Sequence, residues 1–134
     1  MAIQLITQPP KSHSSGQACV AMVAGVSFNY AVLKFGHRRR ASSYTIRNVL
    51  YELDVECGYA FKRPRRWCRG RNFESDMLCI LKLSPKWKKS WCWVVFTPDY
   101  MIHDPAGKVY HVTDLPEDIR IVSYLPVGPG GLKN

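Results

Sequence analysis

Two stretches of this chain carry the residue types of acyl-transfer chemistry: residues 14–25, SSGQACVAMVAG, and residues 92–105, CWVVFTPDYMIHDP. They hold Ser15, Cys19, Cys92, His103 and Asp104, and so pose the question whether a cysteine hydrolase works here or only its shell remains. Thiolate attack needs a thiol, ordinarily of pKa ~8.5, that a neighbouring imidazole and the positive end of a helix keep ionised. A serine hydroxyl in that place needs an effective base, because a helix terminus alone does not ionise it at neutral pH. His13, in the loop before Ser15, is the best-placed base, although nothing in the sequence orients its ring. His103 adjoins Asp104, but on a strand the two side chains point to opposite faces, which leaves His103 a surface or core-edge residue. His111 is the other histidine of the second half.

The five cysteines (Cys19, Cys57, Cys68, Cys79, Cys92) are an odd number, spread without the short paired spacings that zinc sites use. They read as reduced, mostly buried thiols, with no metal site and no cofactor.

The elements that must position these residues divide the chain in two. SSGQACVAMVAGV offers Ser14 or Ser15 as N-cap and is small and apolar nearly all round, which describes a buried helix. SFNYAVLKFG has Ser27 as cap and Gly36 as stop. In SSYTIRNVLYELDVECG, Ile46, Val49, Leu50 and Leu53 repeat at helical spacing, with Gly58 past the end. Five short aliphatic and aromatic runs follow: MLCILKL, WCWVVF, YMIH, KVYHV and IRIVSYL. Turn-rich segments separate them, DPAG among them. DPAGK has none of the spacing of a phosphate loop and reads as a turn. Helices first and an antiparallel meander afterwards make an α+β domain.

With 134 residues, 46% hydrophobic and 22% charged, the chain has material for one core. The expected single domain spans 1–127, followed by a flexible tail over 128–134. The opening MAIQLITQPP lacks the pattern of a secretory signal, and no run approaches the ~20 apolar residues that span a bilayer. The expectation is a soluble cytoplasmic protein with no membrane partner.

In order and kind, residues 4–125 resemble the C39-type branch of the papain-like cysteine peptidases. That family opens a buried helix with a pattern like Cys-Gly-x-Ala-Cys-x-Ala-Met-[Ile/Val], whose first cysteine is the nucleophile. Gly16, Ala18, Cys19, Ala21, Met22 and Val23 match it, and Ser15 stands at the nucleophile position. A glutamine upstream supplies an oxyanion-hole donor in the family, the place that Gln8 takes here. A later strand begins His-[Trp/Phe/Ala]-Val-Val with the general-base histidine, and the next ends in Asp-Pro, whose aspartate orients it. This chain has Cys92-Trp93-Val94-Val95 and Asp104-Pro105. TIRNVLYELDVECGY is similar to the family's second amphipathic helix, and MLCILKL to the strand preceding the histidine.

The resemblance implies a papain-like, C39-peptidase-like α+β fold, its N-terminal helices packed on a C-terminal antiparallel sheet. It implies a familial site at Gln8, Ser15, Cys92 and Asp104 from which both dyad members are missing. Such a site keeps at most a residual acceleration of order ~10³ to 10⁴ over water, so no peptidase activity is expected through it. Cys19, one helical turn past Ser15 on the same face, is the alternative nucleophile and would point toward Cys92 and Asp104. The plainer reading of Cys19 is a packed, inert thiol. A Cys19–Cys92 disulfide or redox pair is a third. A working cysteine hydrolase would use Cys19, or a cysteine at position 15 if Ser15 is an engineered change.

The formal net charge is +9, which favours an acidic partner. Twelve of the nineteen lysines and arginines fall in three stretches: Arg38, Arg39 and Arg40; Lys62, Arg63, Arg65, Arg66, Arg69 and Arg71; and Lys86, Lys88 and Lys89. Trp67, Trp87 and Trp91 lie among the last two. Cations with interleaved indoles suit single-stranded nucleic acid. Arginine and tryptophan also dominate protein interfaces, and an acidic protein is slightly favoured because no standard nucleic-acid motif is present. The third reading is solvated loops. The leading expectation is a catalytically inactive C39-like domain that acts by binding, blocking or scaffolding an acidic macromolecule. Such a chain would suit a phage or mobile-element accessory protein in the host cytoplasm.

Overall fold

A computed structural model of the protein describes residues 3–64, 67–87 and 89–128. Arg65, Arg66, Lys88 and the tail residues 129–134 lie outside the described residues. Three helices precede five strands, an α+β arrangement: α1 (Ser15–Ala24), α2 (Phe28–Phe35), α3 (Ser43–Glu52), β1 (Leu78–Pro85), β2 (Cys92–Thr97), β3 (Met101–Asp104), β4 (Lys108–His111) and β5 (Ile119–Val127).

The small residues of α1 let it sit in the middle of the molecule, with Ser15–Met22 all buried. Gly16 marks the closest approach. A Cβ at that position would stand 2.8 Å from the Ala41 Cβ and 3.2 Å from the Trp93 ring. Ser14 flanks the helix, but its hydroxyl makes no cap bond and donates instead to the Arg38 carbonyl at 2.6 Å. Helix α2 is bent 115° from α1 at the intervening turn and carries the expected Ser27 cap and left-handed Gly36. Among the described residues no single helix is long and apolar enough to cross a membrane.

Helix α3 is capped by Ser42, which accepts from the Thr45 N–H, and it ends earlier than the sequence suggests. Asp54, not Gly58, takes the left-handed conformation (φ 58°), and the Val55 N–H closes on the Leu50 carbonyl at 2.9 Å. Aspartate is one of the few residues with a side chain that visits this region readily. Gly58 is used elsewhere, tying the chain to β5 through Gly58 N–H to Pro126 O at 3.0 Å.

The sheet is antiparallel throughout, in the order β4-β3-β2-β1-β5. The expected meander holds for β1 to β4 only. β5 returns to the free edge of β1, where Ile80 pairs with Leu125, so β1, like β2, is an interior strand. Strand alternation then gives each of them two buried faces. Ile80, Trp93 and Val95 face a core shared with Cys19, Ile46 and Leu50 of the helices. Leu81, Val94 and Phe96 face a second core closed by Phe73, Val112 and Leu115. β5 extends to Val127, and the Gly128 N–H is held by the Glu56 carbonyl at 2.7 Å.

Candidate active-site shell

Ser15 is the first residue of α1 and is almost fully buried where that helix meets the start of β2. Its Oγ accepts the main-chain N–H of Trp93 at 3.0 Å. Position 15 is thereby joined to the residue that follows Cys92. The Trp93 indole N–H donates to the Ala41 carbonyl at 3.1 Å, on the other side of the Gly16 approach. Ser15 is therefore both packed and hydrogen-bonded as an acceptor.

Asp104 ends β3, and its carboxylate accepts the Ala106 N–H at 2.9 Å and the Tyr110 hydroxyl at 3.3 Å. Gln8 reaches the same turn through its backbone, its N–H donating to the Pro105 carbonyl at 2.9 Å. Its side-chain amide, however, is turned back on its own loop and donates to the Ser12 carbonyl at 2.8 Å and the Ser12 hydroxyl at 3.2 Å. The position expected to supply an oxyanion donor is present, but its N–H groups are spent within the loop.

Electrostatics tie the sulfurs to this junction. Cys92 is the one exposed cysteine, yet its thiol is pushed up to about 11, first by loss of hydration and then by the Asp104 charge, with Arg40 opposing. Cys19 is fully buried, and its pKa is raised well above the ordinary value by burial, then by Cys92 and Asp104. Tyr110 is likewise raised by burial, Asp104 and Cys92. Cys19 thus feels the charges of Cys92 and Asp104, but it has no solvent access and its thiolate is disfavoured. Nucleophilic thiols have the opposite environment. All five cysteines are free, so no Cys19–Cys92 disulfide is formed.

Among the described residues no histidine is hydrogen-bonded to Ser15, Cys92 or Asp104. His13 is oriented after all, its Nδ1 3.1 Å from Nη2 of Arg40, at an exposed position. His103 is opposite Val95 in the ladder, and its Nδ1 is buried with no hydrogen-bond partner among the described residues. Burial lowers its pKa, and Asp99 opposes the shift. His111 accepts the Thr113 N–H at 3.2 Å, and His37 accepts the Arg39 N–H at 3.0 Å. Asp104, the carboxylate expected to orient an imidazole, holds a phenol instead. Among the described residues no group of three His, Cys, Asp or Glu side chains could hold a metal ion.

The expected basic positions separate into distinct places. Arg38–Arg40 sit on a loop stitched to α1 by Ser14 and by Gln17, a fully buried side chain whose Nε2 donates to the carbonyls of Arg39 (2.8 Å) and His37 (3.2 Å). The Arg40 guanidinium lies 5.1 Å from the Trp91 ring centroid, and Lys82 lies 4.6 Å from the same ring. Lys82 is partly buried, and burial together with Arg63 lowers its pKa. Lys62 is held by paired backbone bonds to Tyr124. Arg69 and Arg71 both pair with Glu117, at 3.4 and 3.3 Å. Trp67, Lys86, Trp87 and Lys89 line one surface groove together with Arg120.

Gln17, Tyr110 and Arg120 were not singled out from the sequence. The only signal for Arg120 was its outward register in IRIVSYL. Tyr110 lies opposite Ile102 on β4, a relation visible only once the register is known. No protein-family model matches the sequence, and neither does any curated protein.

Proposed function

We propose that this protein has a C39-like, papain-like fold whose hydrolytic site has been lost, and that it works by binding an acidic macromolecule through its basic and aromatic surface. The observation that carries this reading is the company Asp104 keeps. Three interactions support it: Ser15 accepts the N–H of Trp93, next to Cys92; Gln8 donates its N–H to the carbonyl of Pro105, next to Asp104; and the Asp104 charge raises the pKa of Cys92 and Cys19. Yet the partner of the carboxylate is the Tyr110 hydroxyl, where an imidazole would be needed to take a proton from the group at position 15. On this reading the junction lacks the base that acyl transfer needs.

A working thiol hydrolase through Cys19 needs an accessible, ionisable sulfur, and Cys19 is fully buried with its pKa raised. The test is hydrolysis of a fluorogenic peptide library and of a simple thioester by the purified protein. No turnover above buffer is expected from the native chain. Turnover that survives Ser15→Ala would move the chemistry to another group, and turnover abolished by Ser15→Ala would overturn the reading itself.

A further inference from the structure

The groove between Trp67 and Trp87 combines exposed indoles with cations. It encloses about 420 Å³ and, among the described residues, is lined by Trp67, Ser84, Pro85, Lys86, Trp87, Lys89 and Arg120, three cations and no acid. Both indoles are open to solvent, Trp67 at 40% and Trp87 at 75% exposure. Each has a cation seated over its ring, Arg120 at 4.9 Å from the Trp67 centroid and Lys86 at 5.0 Å from that of Trp87. Glu117, nearby in sequence, pairs with Arg69 and Arg71, and the Asp118 main-chain carbonyl accepts the Lys86 N–H at 2.7 Å.

We infer that this groove is a binding site for single-stranded nucleic acid, with bases stacking on Trp67 and Trp87 and phosphates meeting Lys86, Lys89 and Arg120. The inference rests on the binding reading above and names the partner class. An acidic peptide would satisfy the cations but leave two exposed indoles without a matching surface. One nucleotide uses both, since its base covers an indole while its phosphate reaches the cation beside that ring. A duplex keeps its bases stacked on one another and offers neither indole a face.

The experiment is fluorescence anisotropy of fluorescein-labelled dT20 and U20 titrated with the full chain from 20 to 200 mM salt. Competition is measured with unlabelled dT20, a 20-base-pair duplex and polyglutamate. Three phosphate contacts give a slope of log affinity on log salt of about −2. Trp67→Ala and Trp87→Ala, both at exposed positions, each weaken binding by roughly five- to 150-fold with the slope unchanged. Lys86→Ala/Lys89→Ala flattens the slope by about 1.4. Circular dichroism confirms that each variant is folded.

Absence of binding at 20 mM salt, or affinity indifferent to both tryptophan variants, overturns the inference. Equal competition by duplex or by polyglutamate also overturns it. The polyglutamate result would transfer the groove to an acidic protein and leave the binding reading standing. Peptide turnover through position 15 would remove that reading whatever the oligonucleotide does.

Discussion

The hydroxyl of Ser15 accepts the main-chain N–H of Trp93 across 3.0 Å, joining the first turn of α1 to the start of β2. This side chain is a joint between a helix and a strand. Removing it leaves a buried N–H without a partner. Ser15→Ala should lower stability by about 1–3 kcal/mol in urea unfolding. A variant as stable as the native chain would show that the bond contributes nothing.

Gly16 sets how closely that joint closes. Gly16→Ala places a methyl 2.8 Å from the Ala41 Cβ, an overpacking expected to cost about 1–3 kcal/mol. Ala41→Gly in the same chain should recover part of the loss. Strictly additive effects in the double-mutant cycle would deny the contact.

Two thiols contribute to the alkaline limb of stability. Cys79 and Cys92 are each raised from 9.0 to about 11, and burial is the first cause of both shifts. The folded state therefore holds protons that the unfolded chain gives up first. The resulting stabilisation is complete below pH ~9 and is lost as pH rises through about 11. Melting temperature should fall across that window, and replacing both residues with alanine should flatten the fall relative to the starting stability of the variant.

Asp104 and Arg40 pull the Cys92 thiol in opposite directions. At pH 9, Asp104→Asn should speed disulfide-exchange labelling of Cys92, and Arg40→Gln should slow it. Equal rates in the three proteins would separate Cys92 from both charges.

Gln17 holds the loop that carries Arg38–Arg40 by two carbonyl contacts. Gln17→Leu should cost about 1–3 kcal/mol and should accelerate tryptic cleavage within residues 38–40 at temperatures well below unfolding. Unchanged cleavage would mean the loop is held by other contacts.

Much of the fold was legible because hydrophobic period is a local property. All five strands lie within two residues of the runs read from the sequence, and Ser27, Gly36 and the Ile46–Leu50 repeat placed α2 and α3. The return of β5 to β1 was not legible, since alternation marks a strand without naming its neighbour. The end of α3 was missed because Gly58 outranked Asp54 as a stop, although both can adopt a positive φ. The motif spacing singled out Ser15, Cys92 and Asp104 in the sequence, but their bonding was hidden, because the Asp104–Tyr110 pair and the Trp93–Ser15 bond depend on register and on helix placement.

The most direct measurement is the rate at which a thiol-directed electrophile labels the native protein and a Ser15→Cys/Cys92→His variant at pH 6.5, with the modified residue located by mass spectrometry. The native chain should show five sluggish thiols, and the double variant a fast one at position 15, because the imidazole facing Asp104 restores an acceptor for its proton. Rapid labelling of Cys19 or Cys92 in the native protein would contradict the account, as would a double variant no faster than the native chain while still folded.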